Sequence, residues 1–337
     1  MASADLLQLF QAVVMPMGAR SGPTLSAAPI PGAESHRLAK DGAGCPCVLI
    51  RQQPRIVRPP PIKLENLLVS FDVPCSVRDH VGRLEEDTFT IIRCFDNSLL
   101  PHFLRIVSPM IATLGVKPTA AAVRAAVVAL VELFQALSVP GHKKIQGVWA
   151  ELLLIRRARD PVEMVTSWHR DSYERFDFAS GPDRIEVKSN SYRRREHNFS
   201  LEQVMAVDGA RIVIASVLVD RCGGGVSLGC LLNETRELLS YDPTLVSRLD
   251  LILYSALGSG WAEALDESFD LELAMESISF YEASDIPRPQ NPSPQSVFDV
   301  RFRADLSFTT ALGDSHMGER GKLFRAAIPL RSLKSAI

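Results

Sequence analysis

Long apolar runs are what this sequence lacks most clearly. The longest candidate, Ala120 to Leu137, is interrupted by Arg124 and Glu132, so no transmembrane helix and no membrane partner are expected. An excess of either charge is also missing. The 37 Lys and Arg against 39 Asp and Glu give a net charge of −2, so any contact with a polyanion has to come from a local patch. Cysteine is sparse: of six, only Cys45 and Cys47 lie close together, and no second pair stands at zinc-ribbon spacing. Reduced structural thiols are therefore expected rather than a zinc site. No Lys or Arg precedes Arg20, and Asp5 comes before the apolar patch Leu6 to Met17, unlike a secretory signal, so a cytoplasmic location is expected. There is no fixed-period repeat and no heptad array, which excludes a solenoid or a coiled coil. Gly223-Gly224-Gly225 lacks the Lys-Ser/Thr ending of a phosphate-binding loop and reads as a flexible connector. What is present is apolar mass: 46% of 337 residues are hydrophobic, enough for one large core or two modest ones.

Along the chain, Ser21 to Pro61 is rich in Pro, Gly, Ala and Ser and reads mostly as loop, with one short strand at Cys47 to Ile50. Leu67 to Val77 and Thr88 to Phe95 read as strands of an N-terminal sheet. After Asn97 the composition changes to three successive helices, Leu99 to Leu114, Thr119 to Leu137 and His142 to Ala158. Strands follow at Glu174 to Ala179, Ile185 to Ser189 and Ile212 to Val219, with Ser200 as N-cap of a short helix through Gln203. Leu228 to Leu239 and Pro243 to Leu257 read as helices, then Ser277 to Glu282 and Val297 to Leu306 as strands joined by the proline-rich loop Ile286 to Gln295. The expected organisation is an N-terminal β-containing region (1–97), a core (98–232) and a C-terminal helical and strand extension (233–337).

The segment richest in chemistry is Arg175-Phe176-Asp177-Phe178 followed, across Ser180-Gly181-Pro182-Asp183, by Ile185-Glu186-Val187-Lys188. Period-two alternation puts Glu186 and Lys188 on one face of their strand, and a hairpin at the Gly-Pro turn brings Asp177 beside them. Two carboxylates converging near one ammonium suit a hard cation such as Mg²⁺, held by one or two carboxylates together with substrate phosphate oxygens. Asp177 and Glu186 are then the expected ligands, for one ion or two. Lys188 is expected to orient the attacking water or stabilise the transition state by charge rather than act as a neutral base. A surface hairpin with Glu and Lys on its solvent face would show the same alternation, since cross-strand charge pairs are common.

The neighbourhood adds to this reading. Gly147-Val-Trp-Ala-Glu151-Leu-Leu-Leu lies on a helix upstream, and His197-Asn-Phe-Ser-Leu-Glu-Gln203 closes the segment downstream. In order, Glu151, Asp177, Glu186, Lys188 and the strand Ile212 to Val219 resemble the PD-(D/E)XK nuclease superfamily over roughly residues 141 to 232. More narrowly, the arrangement looks like a bacterial domain of unknown function assigned to that superfamily and found near restriction and phage-defence genes. The Pro-Asp pair of the superfamily appears here as Phe176-Asp177; the absent proline is not a metal ligand.

The resemblance implies an α/β fold: a restriction-endonuclease-like core with a mixed central sheet flanked by helices, an N-terminal β-containing region and a C-terminal α+β extension. It implies that Glu151 binds or orients the metal through water, that Mg²⁺ is the cofactor with Mn²⁺ able to substitute, and that Gln203 contacts the hairpin or a phosphate. Its implied partner is DNA, with other proteins of a defence system and a homodimer both left open. Arg193, Arg194, Arg195 and His197, in the loop expected after the catalytic strand, are candidate phosphate contacts, with Tyr192 and Asn198 beside them. A solvated basic turn neutralised by Glu196 accounts for the same residues. Arg156, Arg157 and Arg159 read as complements of a helix C-terminus. The expected function is a metal-dependent DNA endonuclease in restriction or phage defence; the alternative is a catalytically silent module of the same fold that binds DNA or assembles a complex.

Overall fold

The computed structural model describes residues 3–15, 25–52, 58–78, 84–96, 99–137, 141, 143–169, 174–191, 193–205, 209–289 and 299–330. Tyr192 and part of the Ile286 to Gln295 loop lie outside the described residues. The chain divides into two compact units, Met1–Val139 and Pro140–Ile337.

The first unit runs α1 (Ser3–Ala12), β1 (Leu25–Ile30), β2 (Ala33–Lys40), β3 (Pro46–Arg51), β4 (Ile62–Lys63), β5 (Leu67–Arg78), β6 (Leu84–Cys94), α2 (Leu100–Leu114) and α3 (Ala120–Leu137). Its strands lie in the order β1-β2-β3-β6-β5-β4, and a parallel pairing of β1 with β5 closes five of them on themselves. Alternate residues of these strands, among them Leu25, Ala27, Leu49, Val77, Phe89 and Ile91, form one buried cluster. The composition change after Asn97 is therefore not the boundary between units, because α2 and α3 belong with this sheet.

The expectation of loop from Ser21 to Pro61 is corrected in part: the strand expected at Cys47 to Ile50 is β3, and two further strands, β1 and β2, lie before it. Ser26, Ala27, Ala28 and Ala39 have little strand propensity of their own, but pairing to neighbours and burial decide the outcome. Gly32, at φ 75°, makes the β1–β2 turn. All six cysteines are free, and burial pushes the Cys47 thiol up to about 12, as fits an inert structural thiol.

The second unit runs α4 (Ile145–Arg157), α5 (Pro161–Ser167), β7 (Phe178–Ser180), β8 (Asp183–Asn190), β9 (Glu196–Ser200), α6 (Leu201–Val204), β10 (Arg211–Leu218), β11 (Arg221–Ser227), α7 (Leu228–Leu238), α8 (Pro243–Leu257), α9 (Trp261–Asp266), β12 (Ser268–Phe269), α10 (Leu271–Ser277), β13 (Ser279–Glu282), β14 (Arg301–Asp305), α11 (Asp314–Arg320) and α12 (Lys322–Ala327). The mixed sheet has the order β13-β10-β8-β7, with β8 parallel to β10 and the other pairs antiparallel. Ile212, Val213, Ile214, Ala215 and Val217 of β10 are all buried, an apolar run broken only by Ser216, as in a strand covered on both faces. β9 and α6 together form the crossover from β8 to β10.

Two expectations change here. The segment after β8, expected as a polar loop, contains β9, which pairs antiparallel with β14. Gly223-Gly224-Gly225 is not a plain connector. It forms an irregularity within β11, where Arg221 and Val226 both pair with Phe269, and a Cβ on Gly225 would stand 2.1 Å from the Phe269 carbonyl oxygen. Gly225→Val is expected to lower unfolding free energy by about 2 kcal/mol or more, measured by urea unfolding, because the obstacle is backbone.

Candidate active site

β7 and β8 pair as Phe178↔Ile185, Ala179↔Arg184 and Ser180↔Asp183 around Gly181 and Pro182. Continuing that register by one step sets Asp177 opposite Glu186, but the ladder ends first. The Asp177 carbonyl accepts from His169 N–H (3.0 Å), and the carboxylate Oδ2 accepts from Val187 N–H (2.8 Å). A side chain has replaced the main chain as partner, so the strand expected from Glu174 is only Phe178–Ser180 and Asp177 sits in the bend before it.

Glu151 reaches the same place from the buried face of α4. This helix is fixed on either side of it, with Trp149 Nε1 donating to Val226 O at 3.1 Å. The Trp168 indole donates to Glu151 Oε2 at 2.8 Å, and Trp168 is itself held at the end of α5, where the Arg248 guanidinium donates to the Val165, Thr166 and Trp168 carbonyls. Between Glu151 and Asp177 stands Lys143, a residue that sequence reasoning missed. Its ammonium donates to Glu151 Oε1 (2.7 Å) and Oε2 (2.8 Å) and to Asp177 Oδ1 (2.7 Å).

Glu186 and Lys188 share a face of β8, as alternation requires, and form an ion pair at 2.8 Å. Gln203 joins them: its Nε2 donates to Glu186 Oε1 (2.7 Å), and its Oε1 accepts from Lys188 Nζ (2.9 Å) and from Ser200 N–H (3.2 Å). The last bond belongs to a capping box that starts α6. Lysine can only donate, which fixes which end of the amide faces which partner. Lys188 and Gln203 also line an open cleft of about 710 Å³ with Arg175, Asn198, Phe199 and Arg301.

Glu151, Asp177 and Glu186 are 3%, 7% and 6% exposed. Burial and then the charge of Asp177 push Glu151 up to about 7 and Glu186 up to about 8. Burial would raise Asp177 too, but the Lys143 charge and the hydrogen bonds from Lys143 and Val187 outweigh it and hold this carboxyl below its usual range. Burial disfavours the Lys143 ammonium, yet Glu151 and Asp177 hold its pKa above the usual lysine value.

These residues fit a divalent cation. The donors are hard oxygens, two of three carboxyls are driven toward protonation by burial and then by the Asp177 charge, and one pair already shares a cationic nitrogen. Among the described residues no three His, Cys, Asp or Glu side chains form a metal cage by themselves. Mg²⁺, which keeps several waters and uses one or two carboxylates, does not require one.

The candidate phosphate contacts separate. Arg193 and Arg194 are solvent-facing, with side chains 74% and 71% exposed and long contacts to Asp220 and Glu196. Arg195 instead turns inward and donates to Ser216 O (3.3 Å), Ser216 Oγ (2.9 Å) and Ser277 O (2.6 Å). His197, expected in a loop, lies on β9 and is 3% exposed, with Nε2 2.8 Å from Ser216 Oγ. As placed, Arg195 and His197 brace the sheet through Ser216 and Ser277. Arg156, read as a helix-end cation, pairs with Glu234 at 3.0 Å.

Burial, then the charges of Lys188 and Arg195, push His197 down to about 4 from 6.5. The folded state thus binds fewer protons than the unfolded state between these values, and stability from this group is lost as pH falls from 6.5 through 4. His197→Gln is expected to flatten this acid limb relative to wild type, measured by urea unfolding across pH 4 to 7.

A helical glutamate, an aspartate at the start of a hairpin, an acidic-x-Lys strand and a crossover to a parallel strand define the class of PD-(D/E)XK proteins. The chain belongs to one family within it, described as "Putative PD-(D/E)XK family member, (DUF4420)", whose model matches residues 18–307. That membership implies a restriction-endonuclease-like fold, in agreement with the mixed α/β architecture. No curated protein and no solved structure matches the chain significantly. Among the described residues no helix is long and apolar enough to cross a membrane.

Proposed function

We propose that this protein is a metal-dependent DNA endonuclease that hydrolyses phosphodiester bonds within a bacterial restriction or phage-defence system. The observation that carries the reading is the pairing of buried Glu151 and Asp177 around Lys143, with buried Glu186 ion-paired to Lys188, which lines an open cleft. Asp177 and Glu186 are the proposed holders of Mg²⁺, or of Mn²⁺ in its place, with Glu151 orienting it through water. When bound, the ion would supply an activated water and offset charge on the scissile phosphate.

The chain's own groups do the rest. Lys188 directs its ammonium at developing phosphate charge, and Gln203 holds Lys188 and Glu186 in one orientation. Asp177 draws its alignment from the Val187 N–H, a backbone donor on β8. Arg175 and Arg301 on the cleft wall, with Arg193 and Arg194 beyond, are the proposed contacts to DNA phosphates. Target recognition by other proteins of the system, or by a homodimer, accords with the near-neutral overall charge. For the organisation of the chain, we propose that the catalytic core corresponds to the second unit.

One observation favours a second reading, a catalytically silent DNA-binding or assembly module: Lys143 satisfies Glu151 and Asp177 without a metal. A Mg²⁺-dependent nuclease assay on wild type, Asp177→Ala and Lys188→Ala separates the two. Cleavage lost in both variants supports the enzyme; no cleavage by wild type on single- or double-stranded DNA supports the module; unchanged cutting by both variants removes the site.

A further inference from the structure

We infer that Lys143 is the exchangeable counter-cation of this carboxylate site, holding Glu151 and Asp177 together and leaving them when a divalent ion binds. The inference rests on the metal-dependent reading above and adds a residue to it.

The oxygens themselves leave little choice. Lys143 Nζ lies 2.7 Å from Glu151 Oε1, 2.8 Å from Oε2 and 2.7 Å from Asp177 Oδ1. Asp177 Oδ2 is committed to Val187 N–H, and Glu151 Oε2 is shared with the Trp168 indole. A metal held by Asp177, with Glu151 reaching it through water, competes for the oxygens the ammonium now holds, and Mg²⁺ approaches oxygen to about 2.1 Å. An ammonium on the same oxygen would face a double positive charge at close range in a poorly solvated place, where repulsion is strong.

The lysine is built to move as an arm on a fixed base. Its N–H donates to Ala256 O (3.3 Å), and two residues earlier Gly141 lies so close to α8 that a Cβ there would be 2.2 Å from Leu257 O. The side chain, in contrast, is a flexible four-carbon stem, 20% exposed and so with a path to solvent. Lys188 differs, because Gln203 anchors it independently of its carboxylate. Lys143 therefore keeps the acidic pair assembled and sets the threshold that a metal must exceed.

The test compares wild type and Lys143→Met by calorimetric titration with Mn²⁺ at fixed pH and ionic strength. The variant is expected to bind Mn²⁺ about tenfold more tightly or better, since one positive charge has been removed from the site. Equal or weaker affinity in the variant overturns the role of Lys143 while the metal-dependent reading stands. No Mn²⁺ binding by either protein overturns both. A second measurement needs no substitution: acetylation of wild-type Lys143 by an amine-reactive ester, followed by mass spectrometry, is expected to rise severalfold when Mn²⁺ is added. Unchanged or reduced acetylation in the presence of bound Mn²⁺ overturns the inference even if the Met variant does not fold.

Discussion

Asp177→Ala is expected to reduce Mg²⁺-dependent cleavage by on the order of 10³-fold, and Lys188→Ala by about 10²- to 10³-fold, measured as kcat on a defined duplex. The two losses have different origins. Asp177 is the hub: one of its oxygens holds Lys143 and the other receives the Val187 N–H. Alanine there removes a proposed metal ligand and also strands a part-buried backbone donor, at about 1–3 kcal/mol of stability. Asp177→Asn leaves an acceptor for Val187 and so removes the charge and the Lys143 contact without stranding that donor. Lys188→Ala spares all three carboxylates, and its effect should fall on kcat, without weaker metal binding, since the positive charge paired with Glu186 is removed. A urea unfolding curve for each variant separates lost chemistry from lost fold.

Without divalent metal, the melting temperature of the wild type is expected to fall by several degrees between pH 5 and pH 8.5, beyond what Glu151→Gln and Glu186→Gln variants show. In the folded state burial and the Asp177 charge raise Glu151 to about 7 and Glu186 to about 8, against 4.5 ordinarily. Between these values the folded protein binds more protons than the unfolded chain. Stability from these groups is complete below 4.5 and is lost as pH rises through 7 and 8. Asp177 has the opposite sign, being held below its usual range, so its contribution is present above its unfolded value and lost only in stronger acid. Adding Mg²⁺ should shrink the slope, because the ion binds the deprotonated carboxylates. A melting temperature that is level across this window, or as steep in the Gln variants, would contradict the assignment.

What could be read from the sequence was what local periodicity encodes. Alternation along β8 put Glu186 and Lys188 on one face, the Gly-Pro turn set the hairpin, and Ser200 with Gln203 marked the start of α6. The carboxylate partners of Lys143 follow no such rule: it meets Asp177 across 34 residues, from a segment whose position depends on α8. Nothing short of the assembled unit reveals that contact. His197 and Arg195 looked like solvent-facing basic residues because β9 is too short and polar to announce itself as a strand. Pairing with β14 is what turns them inward. The strands β1 and β2 were unreadable for a related reason, since alanine and serine take their conformation from neighbours that sequence alone does not reveal.

The shared oxygen of Gln203 ties two events of very different size. It receives the first turn of α6 through Ser200 and the ammonium of Lys188 at once, while the amide nitrogen steadies Glu186. A helix of four residues is the kind of element that opens locally at small cost, far more often than the sheet behind it. Each such opening withdraws the side chain that aligns Glu186 with Lys188. Between openings the pair has three links, and during one it keeps only the direct ion pair on β8, so its alignment depends on a single helical turn as well as on the sheet.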